Sequence, residues 1–351
     1  MTTQFPLFGE LLEKLRLNWR ALPDKPDETP ENTLRALWLR AANEPVSIPR
    51  LDGHDLPVLN AAAQTHLWEL VNQRVKGTPL AHLTNRQDFF GIEFLASSEA
   101  MIPRKETEIL AGAALGTLRR LVQARGHVRV VDLCAGSGNV SLALAAHEPN
   151  CSVIGADISP DAVRLARRNA EHLGLSHRAR FLQSDLLSAF SANEFAGQVD
   201  LITCNPPYIS SARTEELPLE IAEHESKLAF DGGPLGVKIL TRVIREAPRY
   251  LKPESWLAVE VGVGQDKAVA RWLERSRAFE DVEVHRDSEG RVRAIVARTV
   301  GTAWRARAIA DGRRPGGSRL FQLREQDEKL LSGDETPNFV EVAPVGREFG
   351  R

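Results

Sequence analysis

The sequence predicts an α/β fold, a Rossmann-like, mostly parallel seven-stranded sheet with an antiparallel C-terminal hairpin, preceded by a small helical N-terminal domain. Three observations predict it. From His127 onward, five short apolar runs alternate with helical periods, the arrangement that produces a parallel sheet with helices on both faces. A glycine turn, Gly136-Ser-Gly138, directly follows the first of these runs. The last part, VEVHRDSEGRVRAIVAR, reads as two strands around Ser288-Glu289-Gly290, a hairpin at the sheet edge.

Residues 1–85 read as helices: Phe5 to Ala21, a segment opened by Thr29-Pro30-Glu31, and Val58 to Val75. Thr29 is an N-cap candidate with Pro30 at the first helical position, where a missing N–H costs nothing. The stretch from Pro23 to Pro30 is a connector, and the region shows no chemistry of its own. Residues 86–126 form a linker with a β-hairpin and a connecting helix. The strands of the next domain, 127–299, are VRVVDL, CSVIGADI, ARFLQSD, VDLITC and WLAVEVG, ending at Leu133, Ile158, Asp185, Cys204 and Gly262. Between them lie helices at Val140 to His147, Pro160 to Leu173, Leu235 to Leu251 and Lys267 to Phe279. Beyond Thr299 the chain is rich in Arg, Gly and Pro, which reads as a C-terminal extension, 300–351, partly disordered, with a partner-contacting segment as the alternative.

The bulk composition narrows the function. With 351 residues, the chain is long enough for two domains. A formal net charge of −2 argues against a nucleic acid as the main partner, because gripping phosphates calls for a basic excess. The cysteines, Cys134, Cys151 and Cys204, form no C-x-x-C pair, so neither a disulfide framework nor a metal site is expected. The start lacks the apolar core of a secretory signal, and no stretch approaches the ~18 apolar residues of a membrane span. A cytoplasmic protein without a membrane partner is the expectation; the oligomeric state is not legible.

The candidate cofactor site begins at Asp132-Leu-Cys-Ala-Gly136-Ser-Gly138, which follows a strand and opens a helix. Glycines there let the backbone approach a ligand, which then lies at the carboxyl ends of the strands. Asp157 ends the next strand 19 residues after Gly138, near the ~20-residue spacing at which an acidic side chain meets ribose hydroxyls. Asp185 ends the strand after that, where it could accept a hydrogen bond from an adenine amino group; a solvated turn is the competing reading. A dinucleotide loop carries a third glycine where this chain has Ser141, which tilts the reading towards S-adenosylmethionine. The candidate cofactor residues are thus Asp132, Cys134, Ala135, Gly136, Gly138, Asp157, Ile158, Asp185, Leu186 and Asn205, with no metal.

The candidate catalytic residues are Asn205, Pro206, Pro207 and Tyr208, which follow the strand VDLITC at the same edge. Two consecutive prolines fix φ and force the preceding residues to be extended, so the carbonyls of Asn205 and Pro206 point in set directions. Neither proline has an N–H, and the Asn205 side chain adds both an acceptor and an NH2 donor. Such an elbow suits an amide or amino group. An NH2 held by fixed acceptors turns its lone pair towards a methyl donor, by positioning and preorganised electrostatics. Tyr208 could lie against the flat group. Methyl transfer from a sulfonium annihilates charge, so apolar walls are expected. Phe89, Phe90 and Phe94 are candidates for them, with plain core as the alternative.

These motifs in order resemble the protein-glutamine methyltransferases that modify peptide-chain release factors, the HemK/PrmC type. The likeness runs through Gly77-Thr-Pro-Leu-Ala-His, Phe90-Gly91, Ile102-Pro-Arg-Lys-Glu-Thr-Glu108, the glycine loop, Asp157-Ile-Ser-Pro-Asp, Asn205-Pro-Pro-Tyr, Gly232-Gly-Pro-Leu-Gly and Leu251-Lys-Pro. It implies that the Gly136/Gly138 loop and Asp157 bind S-adenosylmethionine. It also implies that Asn205 and the Pro206 carbonyl hold a glutamine carboxamide, in the Gly-Gly-Gln motif of a release factor, and that the helical N-terminal domain seats the protein substrate. Arg104 and Glu106 are nominated as supporting residues. The sequence departs from the family pattern at Cys134, which replaces a glycine, and at Ser226, which replaces the proline of a Glu-Pro pair. Two other readings stay open on the sequence: an N-methyltransferase acting on an exocyclic base nitrogen of RNA or DNA or on a small molecule, and a catalytically silent binding module.

Overall fold

The computed structural model describes residues 5–20, 25–209, 232–233, 236–301 and 340–341. Four helices come first: α1 (Phe5–Leu17), α2 (Pro30–Ala41), α3 (Ala61–Val75) and the short α4 (Leu80–Thr84). Thr29 caps α2 by accepting from the Asn32 N–H at 3.2 Å, with Pro30 at its start. Helix α3 begins at Ala61, three residues later than expected, because Asn60 accepts from the Ala63 N–H at 2.9 Å and Val58 is left outside the helix. Leu11, Leu34, Leu37, Trp38, Leu67 and Val71 pack these helices together in a cluster of their own.

A hairpin of β1 (Arg86–Phe89) and β2 (Ile92–Leu95) leads to α5 (Thr107–Arg125). The strands and helices that follow are β3 (Val128–Leu133), α6 (Asn139–His147), β4 (Cys151–Asp157), α7 (Pro160–His172), β5 (Ala179–Gln183), α8 (Ala192–Phe195) and β6 (Val199–Cys204). After them come α9 (Lys238–Glu246), β7 (Leu251–Glu260), α10 (Asp266–Ser276), β8 (Phe279–Arg286), β9 (Val292–Thr299) and β10 (Val340–Glu341). The sheet order is β10-β8-β9-β7-β6-β3-β4-β5. Strands β7, β6, β3, β4 and β5 run parallel, and β9 runs antiparallel to both β7 and β8, which gives the seven strands and the antiparallel C-terminal hairpin that the sequence predicts, with β8 pointing the same way as the parallel set. The two-residue β10 adds an eighth, parallel to β8, from within the region expected to be a tail. The rest of that extension lies outside the described residues, as do Glu225 and Ser226.

The sheet is buried on both faces, which is why its central strands read as unbroken apolar runs. One face packs on α5, α6 and α7 through Leu110, Leu118, Leu142 and Phe181. The other packs on α9 and α10 through Leu240, Val243, Val269 and Leu273. The helix expected over 235–251 ends at Glu246 and gives way to a 3-10 turn containing Pro248, so β7 starts at Leu251, well before Trp256. Between Leu251 and Trp256 the register against β6 slips. There the buried Asp200 carboxylate is met by Arg125 Nη1 at 2.6 Å, Lys252 Nζ at 2.8 Å and the Arg129 N–H at 2.9 Å. Among the described residues no helix is long and apolar enough to cross a membrane.

Of the two roles weighed for the three phenylalanines, pocket wall and plain core, the packing supports core. Phe89 and Phe94 are 1% and 0% exposed in the core shared with α5 and α6, and Phe90 packs edge-on against His147.

Candidate active site

Strands β3 and β6 are parallel neighbours, with Leu133 opposite Cys204. The chain leaving β3 through Cys134 to Gly138 and the chain leaving β6 through Asn205 to Tyr208 therefore emerge side by side at the carboxyl edge of the sheet. The Cys134 and Cys204 sulfurs lie 4.0 Å apart. A crevice bounded by such loops is where open α/β sheets take their ligands.

The glycine loop is built from below. Asp132 is 1% exposed, and its carboxylate accepts from Ser141 Oγ at 2.6 Å, the Ser141 N–H at 3.1 Å and Thr203 Oγ1 at 2.6 Å. Burial pushes the Asp132 carboxyl up to about 6, against the lowering effect of these donors. The carboxylate thus ties α6 and β6 to the start of the loop, and Asp132 sits beneath the loop as its brace. Ser141, which marked only a missing glycine in the sequence, is half of that brace.

Gly138 has φ +81°, and a Cβ there would lie 2.8 Å from the Phe181 ring. Gly136, at φ +54°, has no atom within 4 Å of its Cβ position, so its outer side is open to a ligand. Ala135 is buried, its N–H held by the Ala156 carbonyl at 3.0 Å. Cys134 itself has φ +55°, a left-handed conformation that explains why glycine suits this position.

Asp157 bridges the two turns, its carboxylate accepting from the Gly136 N–H at 2.8 Å and the Ser159 N–H at 2.9 Å. Burial raises its pKa, while the backbone donors at Ser159, Gly136 and Ile158 oppose the rise. Ile158 beside it is 53% exposed, an apolar surface at the mouth of the crevice. Asp185 lies just past β5 and forms a two-point pair with Arg242 at 2.9 and 3.2 Å, a partner that the sequence did not signal. Leu186, buried with φ +51°, accepts from Ser184 Oγ at 2.7 Å through its carbonyl.

The elbow after β6 is clamped on several sides. Asn205 Nδ2 donates to Thr107 Oγ1 at 3.1 Å. Gln265 Nε2 donates to the Tyr208 carbonyl at 3.1 Å and the Gly236 carbonyl at 3.3 Å, while its Oε1 accepts from the Gly262 N–H at 3.0 Å. A Cβ on Gly232 would lie 2.5 Å from the Pro207 carbonyl oxygen, and one on Gly236 2.1 Å from that of Tyr208. Only glycine permits this approach. Burial first, and then the charge of the neighbouring Glu260, raise the Tyr208 pKa.

Glu260, 1% exposed at the end of β7, is pushed up to about 7 by burial, against hydrogen bonds from Thr107 and Tyr208 and the charge of Arg293. Glu106, which the resemblance nominated, raises it further through its charge. Arg104 is half-buried, and its carbonyl accepts from the Thr107 N–H at 3.1 Å. Thr107, Glu260 and Gln265 carried no signal of their own in the sequence. Thr107 lay inside a quoted motif, and Glu260 and Gln265 lay at the end of a predicted strand and just beyond it.

Comparison with known proteins places the chain. Residues 124–299 match a family described as a methyltransferase domain. A release factor glutamine methyltransferase of Geobacter sulfurreducens is 36% identical over 65% of this chain and 76% of its own length. One from Moorella thermoacetica is 33% identical over 74% of this chain and 87% of its own. One from Salmonella typhimurium is 37% identical over 68% and 82%. At these identities and coverages, with the glycine loop and the Asn-Pro-Pro-Tyr elbow side by side on a mostly parallel sheet, the chain belongs to the release factor glutamine methyltransferase family.

Proposed function

We propose that this protein transfers a methyl group from S-adenosylmethionine to the side-chain amide nitrogen of a glutamine in a release factor, in its Gly-Gly-Gln motif. The observation that carries the reading is the adjacency of the Asn205-Pro206-Pro207-Tyr208 elbow and the Gly136/Gly138 turn on neighbouring parallel strands. Bound S-adenosylmethionine supplies an electrophilic methyl on a positively charged sulfur.

The residues around the crevice fit such a cofactor. Gly136 presents open backbone, Asp157 a half-buried carboxylate for ribose hydroxyls, and Ile158 an exposed apolar face for a flat base. Cys134 and Ala135 line the same turn. Asp185 and Leu186 stand where the base's polar edge would lie, with Asp185 already shared with Arg242. Asp132 acts through the loop that it braces.

The elbow holds the acceptor. The Asn205 side-chain oxygen and the Pro206 carbonyl accept from the glutamine NH2, which fixes the amide plane and aims the nitrogen at the cofactor side. Pro207 keeps the elbow rigid, and Tyr208 lies against the flat amide group and excludes water. Transfer of the methyl would leave the cofactor as its neutral thioether and release one amide proton, which the Asn205 side-chain oxygen and the Pro206 carbonyl would take up on its way to water. The helical residues 1–85 form a docking domain for the protein substrate, residues 86–126 connect it to the methyltransferase domain at 127–299, and the protein works in the cytoplasm.

Incubation with labelled S-adenosylmethionine and a release factor tests this reading. Label at the Gly-Gly-Gln glutamine is expected; label elsewhere, with none at that residue, overturns the substrate assignment. Asn205→Ala is expected to abolish turnover and leave cofactor affinity nearly unchanged, and equal loss of both would assign the elbow another role.

A further inference from the structure

We propose that Thr107 is a positioning residue for methyl transfer, holding the Asn205 carboxamide in the one orientation that turns its oxygen towards the acceptor. This rests on the reading of Asn205 given above. An asparagine side chain ends in an oxygen and an NH2 of nearly the same shape, so packing alone does not choose between its two orientations; hydrogen bonds do. The difference matters at this site. With the oxygen outward, Asn205 accepts from the substrate NH2; with its own NH2 outward, it faces that NH2 donor to donor.

The choice is made behind the elbow. Asn205 Nδ2 reaches Thr107 Oγ1 at 3.1 Å, and Thr107 is 1% exposed in the first turn of α5. A hydroxyl has one proton to give. In this arrangement that proton turns towards Glu260, itself 1% exposed, whose carboxyl the Thr107 hydroxyl holds down against the rise caused by burial. With that proton committed to a carboxylate, Thr107 can only accept on its remaining side, and an acceptor there requires the Asn205 NH2. Glu260 Oε2 is buried without a hydrogen-bond partner, so the carboxylate favours a neighbouring hydroxyl that turns its proton towards it.

The relay is sensitive to protonation. Glu260 faces Thr107, Tyr208, Arg293 and Glu106, and it titrates at about 7. Once protonated, Glu260 can donate to Thr107, whose own proton then turns to Asn205 and favours the reversed amide. The acid limb of turnover in the unsubstituted protein is expected to reflect this reversal.

Thr107→Val, which removes the hydroxyl at constant volume, tests the proposal in the full-length protein with labelled S-adenosylmethionine and a release factor. Expected is a fall in kcat of about tenfold to ~10²-fold, the scale of a small misplacement of a reacting group. The dissociation constant of S-adenosylmethionine should stay within about threefold, and the acid limb near pH 7 should be lost. Thr107→Ser, which restores the hydroxyl, should recover kcat to within about fivefold. A kcat for Thr107→Val close to the unsubstituted value, or Thr107→Ser as impaired as Thr107→Val, overturns the proposal. Should the valine protein fail to bind cofactor, Thr107→Ala takes its place under the same criteria. Asn205→Ala separates the two readings: retained turnover there sinks the role of the elbow, whereas lost turnover with an active Thr107→Val sinks the role of Thr107 alone.

Discussion

Removing the Ser141 hydroxyl should destabilise the protein in a pH-dependent way. Asp132 is 1% exposed and keeps three donors: Ser141 Oγ and Thr203 Oγ1, each at 2.6 Å, and the Ser141 N–H at 3.1 Å. Even with them its carboxyl rises from 3.8 to about 6. A carboxyl whose pKa is higher in the folded state holds its proton longer there, so stability declines as the pH climbs from about 4 through about 6. By linkage, ionising it costs folding roughly 3 kcal/mol above that window.

In Ser141→Ala the backbone N–H and Thr203 remain, but one hydrogen bond to a charged group is gone, worth about 1.5–3 kcal/mol. The folded pKa then moves further up. At pH 8, where Asp132 is ionised, the expected loss is about 2–3 kcal/mol. At pH 5 the folded protein carries the proton and the loss shrinks to about 1 kcal/mol, the worth of a neutral hydrogen bond. Urea midpoints of the two proteins at both pH values measure the difference. Equal losses at pH 5 and pH 8, or the smaller loss at pH 8, would refute the assignment of Asp132 as an ionising brace.

Gly236→Ala places a Cβ 2.1 Å from the Tyr208 carbonyl at a φ of +68°, so the elbow must shift; turnover should fall by ~10²-fold with cofactor affinity retained, measured by single-turnover methylation and calorimetry. Cys134→Gly relieves a left-handed residue at φ +55° and, after the greater chain entropy of glycine, should stabilise by about 0.5–1 kcal/mol, read as a higher Tm. Arg125→Met withdraws the 2.6 Å partner of the buried Asp200 and should cost about 2–3 kcal/mol in urea denaturation, below the 3–5 typical of a broken buried pair because Lys252 stays.

The order of strands and helices was legible because it follows from local periodicity. VRVVDL and VDLITC are apolar without alternation, as strands covered on both faces must be, and Thr29-Pro30 marks a helix start by its own hydrogen bond. The ends of elements were less legible where a single residue decides them. Asn60 moved one helix start, and Pro248 ended another helix early.

The candidate site divides in the same manner. Glycine at 136 and 138, Asp157 after the next strand, and two prolines after Asn205 are properties of short stretches, and the sequence alone determined them together with the family resemblance. The pairing of Ser141 and Thr203 on Asp132, of Arg242 on Asp185, and of Thr107 and Glu260 behind Asn205 joins residues from 9 to more than 150 positions apart. Which carboxylate is buried, and which hydroxyl is close enough to neutralise it, depends on how helices settle on the sheet. That is a property of packing in three dimensions, and only the tertiary structure decided it.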